Sequence, residues 1–139
     1  MNPYIRNLLI AEEGLRLTAY KCTVGKTTIG VGRNLDDVGI SAAECDVLFN
    51  NDLAHIEAQA KTLPYYESLD SVRQAVVLSA LFQLGLRGWQ SFTTTNNLIA
   101  AGKYAEAADA MGQSKWFQQT PNRVGRLMEM LRTGVLVRR

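Results

Sequence analysis

The sequence predicts an α+β protein that is mostly helical, with a small β-hairpin or sheet near its N-terminus. Residues 16–33 alternate in polarity and are rich in Thr, Val, Ile, Tyr and Gly, which is typical of short strands joined by turns. After about residue 41, apolar residues recur at helical spacing between capping residues, prolines and glycines. We expect one domain over residues 1–139, with a small α+β lobe at about 13–60 and a helical lobe at about 62–139.

The first predicted element is a short amphipathic helix over residues 3–12, which we expect to pack on the helical lobe. Pro3 stands in its first turn, where a missing N–H costs nothing. Its apolar face consists of Ile5, Leu8 and Leu9. The following segment, 16–33, predicts a hairpin or a three-stranded sheet, with turns at Gly25, Gly30 and Gly32.

A second helix is predicted from residue 42 to about Lys61. Ser41 and Glu44 have the spacing of a capping box, in which each side chain bonds the backbone N–H of the other residue. Pro64 follows the expected end of the helix. Helical periodicity predicts a buried stripe of Cys45, Leu48, Phe49, Leu53 and Ile56.

The rest of the chain predicts helices only. Asp70 caps a helix that is apolar nearly all round from 75 to 84, so we expect it to be central and buried. Shorter helices are predicted at 93–101, ended by a glycine, and at about 104–111. A last helix begins at Thr120-Pro121 and ends at Gly134. The two tryptophans, Trp89 and Trp116, are expected in the core.

Composition excludes several classes of protein. Hydrophobic residues make up 47% and charged residues 20%, as in ordinary globular domains, and no apolar run approaches the roughly 20 residues that cross a bilayer. Two cysteines are too few for a disulfide scaffold, and one histidine without nearby ligands predicts no metal site. We read no signal peptide in the first ten residues and expect no cofactor.

The charge is uneven along the chain. Residues 1–64 carry 6 Lys or Arg and 8 Asp or Glu, whereas residues 65–139 carry 9 and 5. A basic second half fits an anionic polymer such as a bacterial wall or nucleic acid. An ordinary solvated surface explains the same bias.

The most informative run joins Glu13, Cys22 and Thr28, which fall on a predicted helix end and on the hairpin. Cleavage of a glycosidic bond needs one acid to protonate the leaving oxygen. It also needs a second group on the opposite face of the sugar, which activates water or attacks directly. A carboxylic acid, a thiol and a hydroxyl can fill these roles.

This run resembles the phage-type lysozymes, the endolysins of the T-even coliphage kind in glycoside hydrolase family twenty-four. Their signature is Glu, eight residues, Asp or Cys, five residues, Thr, and here Cys fills the middle place. The flanking Leu-Arg-Leu-x-Ala-Tyr-Lys and Thr-Thr-Ile-Gly-Val-Gly also match. The resemblance resumes at 48–52, 66–73, 81–85 and 114–123. Its main departure is the stretch 34–40, which is short where larger relatives carry an extra helix.

The resemblance implies a role for each of the three residues. Glu13 would be the general acid, since the negative end of a helix and partial burial favour its protonated form. Cys22 would be the base, electrostatic stabiliser or nucleophile, with its thiolate favoured by Lys21 and Lys26. Thr28 would hold the attacking water. Without the resemblance, the three would be a surface glutamate, a small hydrophobe and an ordinary strand residue.

Other positions are assigned by the resemblance alone. Arg123 would orient the Glu13 carboxylate, and Arg33 would form a structural salt bridge with Asp52. The substrate-binding positions are Asn34, Phe82 and Thr95, with plain core as the alternative for Phe82. At Ala110 the family has a polar amide, so we expect that contact to be lost.

The activity that the resemblance implies is that of a muramidase, a glycosidase that cuts peptidoglycan during lysis of a bacterial host by a phage. The enzyme would wait as a monomer in the host cytoplasm until a holin opened the membrane, with no stable membrane association and no nucleic-acid partner. Two other interpretations on the same fold are a lytic transglycosylase and an inactive peptidoglycan-binding module. A nucleic-acid-binding domain is a more distant one, because no recognised motif supports it.

Overall fold

The computed structural model describes all residues 1–139 and confirms the α+β class. It contains seven α-helices, one 3₁₀ turn and one three-stranded antiparallel sheet. The elements in chain order are α1 (Ile5–Glu13), β1 (Arg16–Lys21), β2 (Thr27–Gly30), β3 (Arg33–Asn34), α2 (Ala42–Ala60), the 3₁₀ turn (Tyr66–Ser68), α3 (Ser71–Gln90), α4 (Thr93–Ala100), α5 (Tyr104–Gly112), α6 (Lys115–Gln119) and α7 (Pro121–Thr133).

The chain divides into two compact units, Met1–Leu48 and Phe49–Arg139. The first unit holds α1 and the sheet, whose strands follow one another in the order β1-β2-β3. Thr28 lies in the middle of this sheet, paired with Tyr20 on one side and with Asn34 on the other. The predicted lobe limits and the packing of the N-terminal helix on the helical lobe stay predictions.

A tight turn joins β1 to β2 and fixes the place of Cys22. The Cys22 carbonyl accepts a hydrogen bond from the Gly25 N–H at 2.9 Å, and the Cys22 N–H donates to the Lys26 carbonyl at 2.9 Å. Gly25 has φ 80°, a left-handed value that suits glycine. This is the pattern of a three-residue hairpin loop, a type I turn followed by a left-handed residue.

The capping box of α2 is confirmed, but its predicted buried stripe is wrong at every position except Ile56. The Ser41 N–H donates to Glu44 Oε1 at 2.8 Å, and the Glu44 N–H donates to Ser41 Oγ at 3.1 Å. The hydrophobic core of the second unit begins at Ile56 and Ala60, so only the last turns of α2 have neighbours that bury them. The first four members of the stripe are exposed, namely Cys45, Leu48, Phe49 and Leu53.

In the second unit, α3 contributes more buried residues to the core than any other element, in line with its apolar run. Val76, Val77 and Ala80 are completely buried at the centre of this helix, although Phe82 is exposed. Trp89 and Trp116 lie in the core with their rings 6.4 Å apart in an edge-on arrangement, which confirms their predicted burial. Gly85, at φ 75°, interrupts the helix with a kink.

Arg73 at the start of α3 secures the end of α7. Its Nε donates to the Leu131 carbonyl at 2.7 Å and its Nη2 to the Arg132 carbonyl at 3.0 Å. The guanidinium also lies 4.1 Å from the centre of the Tyr104 ring. These bonds satisfy carbonyls that a helix C-terminus otherwise leaves without partners. Gly134 ends α7 with φ 71°, as predicted.

Candidate functional site

Glu13 is the last residue of α1, and its side chain lies against the turn between β2 and β3. Gly14, at φ 76°, ends the helix by donating its N–H to the Ile10 carbonyl at 2.9 Å. A Cβ atom on Gly32 would stand 3.1 Å from Glu13 Oε2. The absence of a side chain at Gly32 therefore leaves space for the Glu13 carboxylate. The partial burial expected for Glu13 is wrong, because α1 buries none of its residues and the Glu13 side chain is exposed.

Cys22 occupies the first position of the type I turn between β1 and β2. Side chains at this position accept a hydrogen bond from the N–H two residues later, which is why Asp, Asn and Ser are favoured there. The Val24 and Lys26 backbone N–H groups lower the pKa of the Cys22 thiol, and the Thr28 hydroxyl adds to them against the opposing effect of burial. The turn thus favours the thiolate through neutral hydrogen-bond donors.

Lys21 and Lys26, which were predicted to favour the Cys22 thiolate, interact with other residues. Lys21 Nζ donates to Thr27 Oγ1 at 2.5 Å. Lys26 Nζ lies 3.3 Å from Asp37 Oδ1 in an exposed ion pair. The thiolate is therefore favoured by backbone geometry, whereas the prediction relied on the charges of Lys21 and Lys26.

Thr28 is buried, with 3% of its surface exposed, and its Oγ1 donates to the Lys26 carbonyl at 2.9 Å. A hydroxyl has one hydrogen, so Thr28 can donate either to the Lys26 carbonyl or to the Cys22 sulfur at one time. Its oxygen can accept a further hydrogen bond in either case. The hydroxyl of the neighbouring Thr27 accepts from Lys21 Nζ, and the Thr27 backbone N–H donates to Asp36 Oδ2 at 2.8 Å. Thr28 is the one of the two that faces the Cys22 turn.

Asn34, a predicted substrate-binding residue, anchors the turn that follows β3. Its Nδ2 donates to Asp37 Oδ2 at 3.0 Å, and its Oδ1 accepts from the Asp37 N–H at 3.0 Å. Substrate contact through this amide would have to compete with both bonds.

Arg33 pairs with a partner that the sequence did not suggest. The resemblance assigned it to Asp52, but its Nη1 donates to Glu44 Oε1 at 2.8 Å and to the Gly39 carbonyl at 3.1 Å. Glu44 also caps α2, and the bonds from Arg33 and Ser41 lower its pKa to about 2. One carboxylate thus ties β3 to the start of α2.

Within the second unit, Phe82 and Arg123 line one cavity of about 260 Å³. Phe82 is 50% exposed and meets Phe49 edge to face, with ring centres 6.3 Å apart. Arg123 Nη2 donates to Ser79 Oγ at 3.3 Å and forms no salt bridge within this unit. The exposed face of Phe82 and the unpaired cation distinguish this cavity from plain core.

Thr95 lies in the first turn of α4 and lines a polar cavity of about 380 Å³ together with Ala110. At Ala110, where the family has a polar amide, a contact was predicted to be lost. Gln113, three residues further on, lines the same cavity and brings an amide to it, and Lys115 adds a cation. Gln113 and Lys115 were missed, although Gln113 follows the end of α5, three residues after Ala110, and that spacing was a signal for it.

Comparison with known proteins gives the family of this chain. Residues 11–139 match the family described as Phage lysozyme. The chain belongs to the phage lysozyme family.

Three curated relatives match between 78% and 97% of the chain. It is 32% identical to the "Probable T4-type lysozyme 1" of Dictyostelium discoideum, over 95% of each protein. It is 29% identical to the pre-baseplate central spike protein of Enterobacteria phage T4, covering 97% of this chain and 28% of that protein. An "Endolysin" of Acyrthosiphon pisum secondary endosymbiont phage 1 is 28% identical over 78% of this chain and 75% of the relative.

These matches make the chain a lysozyme-type peptidoglycan hydrolase. The alignment with the Dictyostelium protein extends over 162 positions, more than the 139 residues of this chain, so the relative has segments without a counterpart here. None of the helices has the length and apolar composition needed to cross a membrane.

Proposed function

We propose that this lysozyme is a muramidase that hydrolyses the β-1,4 bond between N-acetylmuramic acid and N-acetylglucosamine, with Glu13, Cys22 and Thr28 as its catalytic residues. One observation carries the proposal. A single three-stranded sheet holds the Cys22 turn and the buried Thr28, and its next turn holds the space filled by the Glu13 carboxylate. An acid, a thiol and a hydroxyl are thereby gathered in one small unit.

The proposed reaction breaks the bond between the anomeric carbon and the bridging oxygen. Glu13 donates its proton to the bridging oxygen as that bond breaks. Water attacks the anomeric carbon from the opposite face, and the Cys22 thiolate takes the proton that the water loses. Thr28 Oγ1 accepts a hydrogen bond from this water and so directs its lone pair. Exchange with solvent then returns the proton to Glu13 and removes it from Cys22.

The remaining assigned residues would bind and orient. Phe82 presents an exposed aromatic face on which a sugar ring could stack. Thr95, with Gln113 beside it, offers a hydroxyl and an amide to the polar groups of the polymer. In keeping with the resemblance, we assign Arg123 a supporting role in catalysis and Asn34 to substrate contact.

The biological setting that we propose is lysis of a bacterial host by a phage. The similarity to a phage endolysin supports it. The protein would accumulate in the host cytoplasm as a monomer and reach the periplasmic peptidoglycan once a holin had permeabilised the membrane.

Mass spectrometry of the products from purified peptidoglycan tests the reaction. A muramidase leaves a reducing N-acetylmuramic acid, whereas a lytic transglycosylase leaves an anhydro sugar that is lighter by one water. Glu13→Gln is the matched control, because it keeps the shape of the side chain and removes the proton. Anhydro products would replace the proposal with transglycosylation, and intact glycan strands would replace it with binding alone.

A further inference from the structure

We propose that the turn formed by Thr23, Val24 and Gly25 is a positioning element for the second catalytic group, in which Gly25 keeps the Val24 N–H directed at the Cys22 sulfur. The inference rests on the proposed function only for the catalytic role of Cys22. The positioning itself concerns the free enzyme, so it can be tested without substrate.

The geometry of the turn assigns this role to a backbone group. The bond from the Gly25 N–H to the Cys22 carbonyl places Cys22 and Val24 at the first and third positions of a type I turn. At these two positions a side-chain acceptor meets a backbone donor. The Val24 N–H makes no backbone–backbone hydrogen bond, and the Val24 side chain is 78% exposed, so packing does not explain this residue.

Gly25 is required for its backbone conformation. Its φ of 80° closes the loop onto Lys26, and a Cβ atom added there would meet nothing within 4 Å. An alanine would fit in space but would be strained in this conformation, whereas asparagine tolerates it better. The turn would relieve the strain by rotating, and rotation would move the Val24 N–H away from the sulfur.

Three of the charged groups around the turn already have hydrogen-bond partners. Lys21 is bonded to the Thr27 hydroxyl, Lys26 to Asp37, and Asp36 to the Thr27 N–H. Glu13 lies against Gly32. Stabilisation of a thiolate by neutral amides does not depend on counter-ions, whereas stabilisation by exposed lysines is screened by salt. Ionic strength therefore separates the two explanations.

The experiment measures the rate at which iodoacetamide alkylates Cys22 as a function of pH, in a Cys45→Ser background. We expect Gly25→Ala to move the profile to higher pH and to slow alkylation at neutral pH by about three- to tenfold, the effect of half to one pKa unit. Gly25→Asn should recover most of the rate. The matched control is Gly102→Ala, since Gly102 also has φ 75° and open space around its Cα but lies in the second unit.

In the protein that keeps Gly25, the pH profile of Cys22 alkylation should change little when the salt concentration is raised. This measurement needs no substitution in the turn, so it does not depend on whether Gly25→Ala folds. An unchanged profile in Gly25→Ala would overturn the proposal. A profile in the Gly25-containing protein that moves strongly to higher pH with salt would also overturn it, in favour of the lysines. If alkylation behaves as expected while peptidoglycan stays intact, the positioning stands and the muramidase proposal fails.

Discussion

The two compact units of this protein differ in what stabilises each of them internally. In the first unit, Met1–Leu48, the only buried residue is Thr28, a polar one. In the second unit, Phe49–Arg139, the buried residues include twenty hydrophobic ones that form a single core. The unit that carries the proposed catalytic residues is thus the one with almost nothing buried.

The difference shows how a site can be defined without a core. The proposed catalytic groups are placed by backbone conformation, since Cys22 depends on a turn and the Glu13 carboxylate on a glycine opposite it. Hydrogen bonds within turns, such as those of Asn34 with Asp37, hold the surrounding backbone. Directional bonds fix geometry well even where burial stabilises little.

The second unit shows the complementary solution. Trp89 is completely buried, and its Nε1 donates to the Tyr65 hydroxyl at 2.9 Å. That hydroxyl bonds the side chain of Asn96, which also donates to the Trp89 carbonyl at 2.9 Å. Burial raises the pKa of Tyr65 to about 12, so this phenol stays protonated and remains a donor at any ordinary pH.

The largest expected effect separates chemistry from stability in the first unit. Glu13→Gln should lower peptidoglycan hydrolysis by about 10²–10⁴-fold, because glutamine cannot donate a proton. The side chain is exposed, so the free energy of unfolding should change by no more than about 0.5 kcal/mol. Turbidity loss of permeabilised cells and thermal unfolding measure the two quantities.

Glu12→Gln is the control for this prediction. Glu12 is exposed on the same turn of α1, so its substitution should leave both activity and stability close to those of the parent protein. If Glu13→Gln kept activity within a few-fold of the parent, Glu13 would not be the general acid.

A substitution in the core of the second unit should lower stability. Trp89→Ala should destabilise the protein by about 3–5 kcal/mol, the usual cost of removing a buried aromatic ring, and it also leaves the Tyr65 hydroxyl without its donor. Leu17→Ala, at a position in the first unit that is 84% exposed, should cost less than about 0.5 kcal/mol. Chemical denaturation measures both, and equal losses would refute the contrast between the units.

A smaller loss of activity is expected from the second catalytic group. Cys22→Ser should lower hydrolysis by about 10²-fold, because a hydroxyl is not a base at neutral pH. Cys22→Asp should keep substantial activity, since aspartate is favoured at the first position of the same turn and the signature that this chain resembles accepts it. Cys45→Ser should be silent, because Cys45 is exposed on α2. Full activity of Cys22→Ser would direct attention to Asp36 and Asp37.

Local signals allowed much of this fold to be predicted from the sequence. The capping box at Ser41, the proline at the start of α7 and the glycine that ends it all act within a few residues, so their effect is visible in the chain itself. The short helix α6 was missed, although Ser114 caps it by accepting from the Phe117 N–H at 3.1 Å. Five residues are too few for helical periodicity to be visible.

Features that depend on three-dimensional neighbours could not be predicted. The periodicity of α2 indicates which residues share its apolar face. It does not indicate where along the helix the core begins, and only the last turns of α2 are buried. The lysines beside Cys22 suggested a charge effect, whereas the direction of the backbone N–H groups is set by the turn. Arg33 forms an ion pair with Glu44 because strand β3 ends near the start of α2. The roles of the site residues stay predictions until the variants are measured.

The smallest expected effect concerns the bond network that joins β3 to α2. Hydrogen bonds from Arg33 and Ser41 lower the pKa of Glu44 to about 2, against an ordinary value of 4.5. The stabilisation from this carboxylate is therefore complete above about pH 4.5 and is lost as the pH falls through about 2. NMR titration of the Glu44 side chain should show this low midpoint, and Arg33→Met should raise it more than Ser41→Ala does, because the bond from Arg33 contributes most. Asp46→Asn, two residues along α2 and without a bond to Glu44, is the control. A midpoint that stayed low in Arg33→Met would show that the capping box alone orders this end of the first unit.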